Sequence, residues 1–227
     1  LTGEPGTGKN LVARLIHDHS TRREHALVRL DCSAMAEEEL AAGLFGGQVD
    51  TLRPAWGTLF LDEVSALPLL PQGRLVRALE SPGPEHPRLI TASGRDLRAL
   101  AVAGQFREDL FYRLSVVPIH LPALRERIED LPALVESALE RLRPRLGGKT
   151  VSTISPAALD CLRRHSWPGN VRELESAIEF ACVCARGSSI GLEDLPRSLV
   201  EESGTADSRL HPRLDDVEKE ALEKVLR

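Results

Sequence analysis

A chain of 227 residues, 42% hydrophobic and 28% charged, is long enough to bury a core and to hold one large or two small domains. A net charge of −5 shows no basic footprint for nucleic acid, and the sequence holds no run of 18 apolar residues and no signal-peptide pattern. The four cysteines, Cys32, Cys161, Cys182 and Cys184, fit no zinc spacing and read as core thiols of a cytosolic protein. His17 and His19 are two apart and would not share a helix face as metal ligands.

The first element is the most informative. Gly3-Glu4-Pro5-Gly6-Thr7-Gly8-Lys9-Asn10 follows the phosphate-cradling pattern G-x-x-x-x-G-K-[ST] except at its last position. The glycines let backbone N–H groups turn inward around phosphate oxygens, and Lys9 supplies a point charge for the β- and γ-phosphates. The helix that follows presents its positive end to the same anion. Asn10 stands where a Ser or Thr hydroxyl would bind Mg²⁺. A loop of this kind normally follows a full strand; here only Leu1 and Thr2 precede it, so the sequence reads as cut inside its first strand. Leu11, Val12, Leu15 and Ile16 give the next helix an apolar face.

Residues 26–30 read as a strand ending at Asp31, and residues 35–44 as helical. Residues 58–62 are apolar up to their end and read as a buried parallel strand, delivering Asp62 and Glu63 at the C-terminal edge of a sheet. Asp62 would hold Mg²⁺, directly or through water, and Glu63 would orient and deprotonate an attacking water. Residues 71–80 read as a helix with Leu75, Val76 and Leu79 inward, and residues 88–93 and 116–121 as two more strands. Strands alternating with helices predict βαβ units and an α/β fold with a parallel sheet. From about Leu131 the pattern is helical only, with helices over 131–142, 156–165 and 171–184. The basic stretch 141–149 reads as a solvated helix end, residues 198–209 as a linker, and Leu214, Val217, Ala221 and Val225 as one further amphipathic helix.

These landmarks, in this order, resemble the central AAA+ domain of the NtrC-like activators of sigma-54 RNA polymerase. Residues 1–199 carry the resemblance through G-E-P-G-T-G-K, L-F-G at Leu44, G-T-L-F-L-D-E at Gly57, F-R-E-D-L-F-Y-R-L at Phe106, L-P-A-L-R-E-R at Leu121 and W-P-G-N-V-R-E-L at Trp167. The resemblance implies a P-loop ATPase core over 1–127, a helical lid over 128–197, a linker over 198–210 and, over 211–227, the start of a Fis-like helix-turn-helix domain that would read DNA. Gly3, Glu4, Pro5, Gly6, Thr7, Gly8, Lys9, Asn10 and Asp62 match the positions that hold ATP and Mg²⁺. Glu63 matches the catalytic glutamate. Arg107 and Arg113 match arginines that reach into a neighbouring subunit's nucleotide, and Arg172 matches the lid arginine that senses the γ-phosphate. Asn170 could cap the lid helix. Fingers acting in trans imply a self-assembled ring, usually a hexamer, in the cytoplasm.

Four departures qualify that expectation. The family's G-A-F-T-G-A loop, which touches sigma-54, would fall within residues 47–56, and these ten residues do not spell it. A second connection, over 81–87, is also shorter than the family's. Asp31 replaces an Asn that would hydrogen-bond the catalytic glutamate, and an ionised Asp would repel Glu63. Ser93-Gly94 replaces a Thr-Asn pair, so Gly94 brings no side chain to a water or γ-phosphate. The expected protein is an ATP-binding AAA+ module with slow ATPase activity, controlled in assembly by ATP and unable to remodel sigma-54 polymerase. Its rivals are an active sigma-54 ATPase with a short loop and a catalytically dead oligomerisation module.

Overall fold

The computed structural model describes residues 1–46, 52, 57–80, 86–145 and 151–202. The loop expected over 47–56 (Leu52 excepted), most of the shortened 81–87 connection and the helix expected around Leu214 lie outside the described residues. The chain divides into two units, Leu1–Pro122 and Ala123–Arg227.

The first unit is built on three parallel strands in the order β1 (Leu27–Asp31), β2 (Thr58–Asp62) and β3 (Arg88–Thr91). All five residues of β2 are buried, as a central strand covered on both faces requires. Side chains alternate across it. Leu59 and Leu61 join one apolar cluster with Leu30, Leu40, Leu44, Leu75, Val76 and Phe106. Phe60 points the other way and packs with Ala13, Ile90 and Ala92. The helices of this unit are α1 (Lys9–Asp18), α2 (Glu37–Phe45), α3 (Leu69–Glu80), α4 (Leu97–Val102) and α5 (Glu108–Leu114). Pro71 sits in the first turn of α3, where its missing N–H is no loss. Asp96 caps α4 by accepting from the N–H groups of Arg98 (2.8 Å) and Ala99 (3.3 Å).

Two expectations for this unit are corrected. Residues 116–121 do not form a strand: Thr2 makes single parallel bridges to Ser93 and His120, and Val116 and Val117 are exposed. With only Leu1 and Thr2 between β3 and this segment, the backbone bonds are Thr2 N–H to Ile119 O (2.9 Å) and Leu121 N–H to Thr2 O (2.8 Å), beside a side-chain bond between Thr2 Oγ1 and His120 Nδ1 (3.2 Å). Of the apolar face expected on α1, Ile16 packs against the Phe60 cluster and Val12 is half-buried, but the leucines face outward. Leu11 and Leu15 are exposed, while Ala13 and His17 are buried. His17 can occupy the interior because its Nδ1 pairs with Thr58 Oγ1 at 2.9 Å, satisfying both polar groups.

The second unit packs α6 (Leu131–Leu142), α7 (Pro156–Arg164), α8 (Asn170–Cys184) and α9 (Arg197–Glu202) around one apolar cluster that includes Trp167, Leu174 and Ile178. Ser155 caps α7 through its hydroxyl, which accepts from Ala158 N–H at 3.2 Å. The unit is not helical only: β4 (Thr153–Ile154) and β5 (Ser189–Ile190) pair in parallel, each too short to show a period of two. α9 runs into the segment read as linker, because Leu199 buries itself on the same core.

Candidate functional site

The loop before α1 has the backbone its glycines suggest. Gly3, Gly6 and Gly8 all have positive φ, and Gly8, at 101°, is the N-cap of α1. A Cβ on Gly3 would lie 2.5 Å from the carbonyl oxygen of Leu121, so the close approach of the two segments admits only glycine there. Thr7 is buried, and its hydroxyl donates to Glu4 O at 2.8 Å, bracing the loop from within. Lys9 is buried at the start of α1. Its Nζ donates to Gly3 O (2.9 Å) and Glu4 O (3.1 Å) and lies 3.4 Å from Glu63 Oε1. The ammonium is thus aimed by the loop's own carbonyls, with a carboxylate as counter-ion. Pro5 and Gly6 complete the loop, and Asn10 is exposed on the first turn of α1.

Glu63 follows β2 directly in the left-handed region, φ 49° and ψ 49°. That conformation costs a non-glycine residue about 1–3 kcal/mol and is retained where surrounding contacts impose it. Here they hold both carboxylate oxygens: Oε1 faces Lys9, and Oε2 accepts from Gly94 N–H at 3.0 Å. Gly94 therefore acts on Glu63 through its backbone, a contribution that side-chain reasoning could not find.

Asp62, the last residue of β2, is buried, and its Oδ2 accepts from Arg29 twice, from Nη2 at 2.6 Å and Nε at 3.2 Å. Arg29 carries no signal in the sequence, because its partner lies on another strand. Asp31 is not turned against Glu63. Its Oδ1 accepts from Ser33 Oγ (2.7 Å) and Ser33 N–H (3.1 Å), and its Oδ2 lies 3.4 Å from Arg29 Nη2. The Ser33 hydroxyl above all, opposed by partial burial and helped by the Ser33 N–H and Arg29, holds the Asp31 carboxyl below its usual range. Burial, together with Asp31, Asp62 and Glu63, pushes the Cys32 thiol up to about 12, so this residue stays a neutral core thiol.

The two candidate finger arginines sit on α5 and at its start. Arg107 forms a forked pair with Asp109, Nε to Oδ1 at 3.0 Å and Nη2 to Oδ2 at 2.7 Å. Its backbone N–H donates to Oε1 of the fully buried Gln72 at 2.8 Å, which fixes where the side chain starts. Arg113 pairs with Glu80 across 3.0 Å. Both arginines are exposed. In the second unit, Arg172 is exposed on the first turn of α8. Asn170 does not cap that helix with its side chain: Gly169 holds the N-cap position, and Asn170 Oδ1 accepts from Leu124 N–H at 2.8 Å.

Comparison with known proteins fits this geometry. Residues 1–120 match the sigma-54 interaction domain, and residues 125–211 match an AAA+ ATPase lid domain. The chain is 40% identical over 248 residues to the transcriptional regulatory protein ZraR of Klebsiella oxytoca, covering 98% of this chain and 56% of that protein. It is 40% identical over 228 residues to the DNA-binding transcriptional regulator NtrC of Azospirillum brasilense, covering 91% of this chain and 47% of the relative. It thus spans about half the length of the curated relatives it matches. Among solved structures, NtrX from Brucella abortus in complex with ATP superposes with a TM-score of 0.74 at 33% identity, over 87% of this chain and 50% of that one.

Proposed function

This chain belongs to the sigma-54 interaction domain family, and we propose that it is the ATP-binding AAA+ module of an NtrC-like transcription regulator whose assembly ATP controls. The observation that carries the reading is Lys9. Its ammonium is held by two loop carbonyls beside Glu63, at the mouth of a glycine turn that leads into a helix N-terminus. Gly3, Glu4, Pro5, Gly6, Thr7, Gly8, Lys9 and Asn10 would surround the phosphates. Charge-assisted bonds of the kind Lys9 offers are worth roughly 1.5–3 kcal/mol each. A phosphate taking Glu63's place at Lys9 would free that carboxylate to activate a water. Arg107 and Arg113 would complete the site from a neighbouring subunit, and Arg172 would report the γ-phosphate from the lid. A ring, probed as a hexamer, is the assembly that such fingers need, and ATP hydrolysis is the reaction they would assist. DNA would be contacted through a helix-turn-helix following the lid, with the cytoplasm as the place of action. Among the described residues, no helix is long and apolar enough to cross a membrane.

Magnesium is a separate matter. The described residues fit a nucleotide but do not fit a resident divalent ion as they stand. Oδ2 of Asp62 already accepts two bonds from Arg29, and Asn10 offers no hydroxyl.

Sigma-54 enters as a non-partner. The sequence over 47–56 lacks the contact motif and has little length to leave the sheet and return, at about 3.3–3.6 Å per residue. One experiment tests assembly and partner together. The full-length protein is sedimented with ATP and fluorescent sigma-54. The expected outcome is a fast-sedimenting protein species that appears with ATP and carries no label. Label travelling with it would establish a sigma-54 contact and sink that part of the proposal; a sedimentation profile indifferent to ATP would sink the control of assembly.

A further inference from the structure

We propose that Arg29 takes the place of a divalent cation beside Asp62, so that nucleotide is held at this site without metal. The inference rests on the nucleotide-binding reading and concerns the chemistry of that same site.

The arrangement follows from strand register. β1 and β2 are parallel with Asp31 opposite Asp62 and Arg29 opposite Phe60. Residues two apart on a strand share a face, so Arg29 and Asp31 lie on the side of the sheet toward which Asp62 also points. Two acids directly opposite one another on adjacent strands repel. Arg29 answers both, reaching Asp62 Oδ2 with Nη2 at 2.6 Å and Nε at 3.2 Å and Asp31 Oδ2 with Nη2 at 3.4 Å. The Asp62 side chain is only 8% exposed, so its charge needs a partner, and the one it has is a guanidinium.

The chemistry of the remaining donors points the same way. Mg²⁺ demands near-ideal octahedral geometry and is slow to shed its waters. At a P-loop it relies on the hydroxyl after the lysine, and this chain has Asn10 there. A bare carboxylate at Asp62 would repel phosphates unless a cation stood between them. Arg29 offsets that repulsion by setting two N–H groups of its guanidinium against Asp62 Oδ2. Two residues at separate points in the sequence, Arg29 and Asn10, thus have one consequence.

The test is ATP affinity by calorimetry on the full-length protein, in magnesium and in EDTA. The wild type is expected to change by less than about fivefold between the two buffers. Arg29→Ala, which exposes Asp62 and Asp31 to each other, is expected to bind at least about tenfold more weakly in EDTA than in magnesium. Arg29→Lys keeps the charge and should behave as the wild type does. Mn²⁺ resonance spectra supply a readout independent of affinity: with ADP present, Arg29→Ala should take up Mn²⁺ and the wild type should not. A wild type that loses more than about fivefold in EDTA overturns the inference while leaving the nucleotide reading intact, and does so even if Arg29→Ala does not fold. No binding in either buffer overturns both.

Discussion

Mixing Glu63→Gln subunits with Arg113→Ala subunits is expected to restore ATP turnover that neither variant supports alone. This is the expected result if Arg113 acts on a neighbour's nucleotide, because a mixed interface can pair an intact Glu63 with an intact Arg113. An arginine finger is worth about 10³–10⁵ in rate, so Arg113→Ala alone should lower kcat by about a thousandfold or more with little change in ATP affinity. The local structure permits the movement. Arg113 lies in the last turn of α5, its side chain 38% exposed, in a pair with Glu80 that is itself half open to solvent. Exposed pairs of this kind contribute about 0–1 kcal/mol, so exchanging Glu80 for a phosphate costs little. Arg107 is more firmly held, by its fork with Asp109 and by the backbone bond to Gln72. Its loss should slow turnover in the same way and should also disturb the start of α5. Full activity in Arg113→Ala, measured as phosphate release, would remove that residue from the site.

Trp167→Ala should be the most damaging substitution in the second unit. Trp167 is fully buried within that unit's core, and its ring meets His165 edge-on at 4.8 Å between centroids. Its Nε1 donates to Leu162 O at 2.9 Å, which ties the end of α7 to the turn before α8. Truncation leaves a large cavity, costing about 3–5 kcal/mol, and strips Leu162 of a buried donor, adding about 1 kcal/mol or more. The φ of 53° is unchanged by the substitution, so no strain is relieved. Urea unfolding followed by circular dichroism should show a lower midpoint at similar slope. A loss under about 1 kcal/mol would mean that this turn is held together elsewhere.

What was legible in the sequence was local and contiguous. The glycine loop, the lysine and the strand Thr58–Asp62 lie in single short stretches, and the strand's bounds are those expected from its apolar run. What was hidden depends on pairing between distant segments. Arg29 matters only because β1 and β2 align Asp31 with Asp62, and nothing in the sequence states that register. The action of Gly94 on Glu63 runs through a backbone N–H and has no side-chain signature. Ile16 faces inward on α1 as its apolar face suggests, but the burial of His17 is hidden, because Thr58 makes it tolerable and periodicity counts a histidine as polar. Residues 116–121 have strand composition, but a segment becomes a strand only with a partner of sufficient length, and Thr2 is a single residue of pairing.

Calorimetric titration of ATP into the full-length protein and its Lys9→Ala variant is the most direct test of nucleotide binding at this loop. Lys9 is the buried cation on which the loop carbonyls and Glu63 converge, so its removal should weaken binding by at least about tenfold, ~1.4 kcal/mol. Equal affinity in the two proteins would contradict the assignment of this loop as the phosphate cradle.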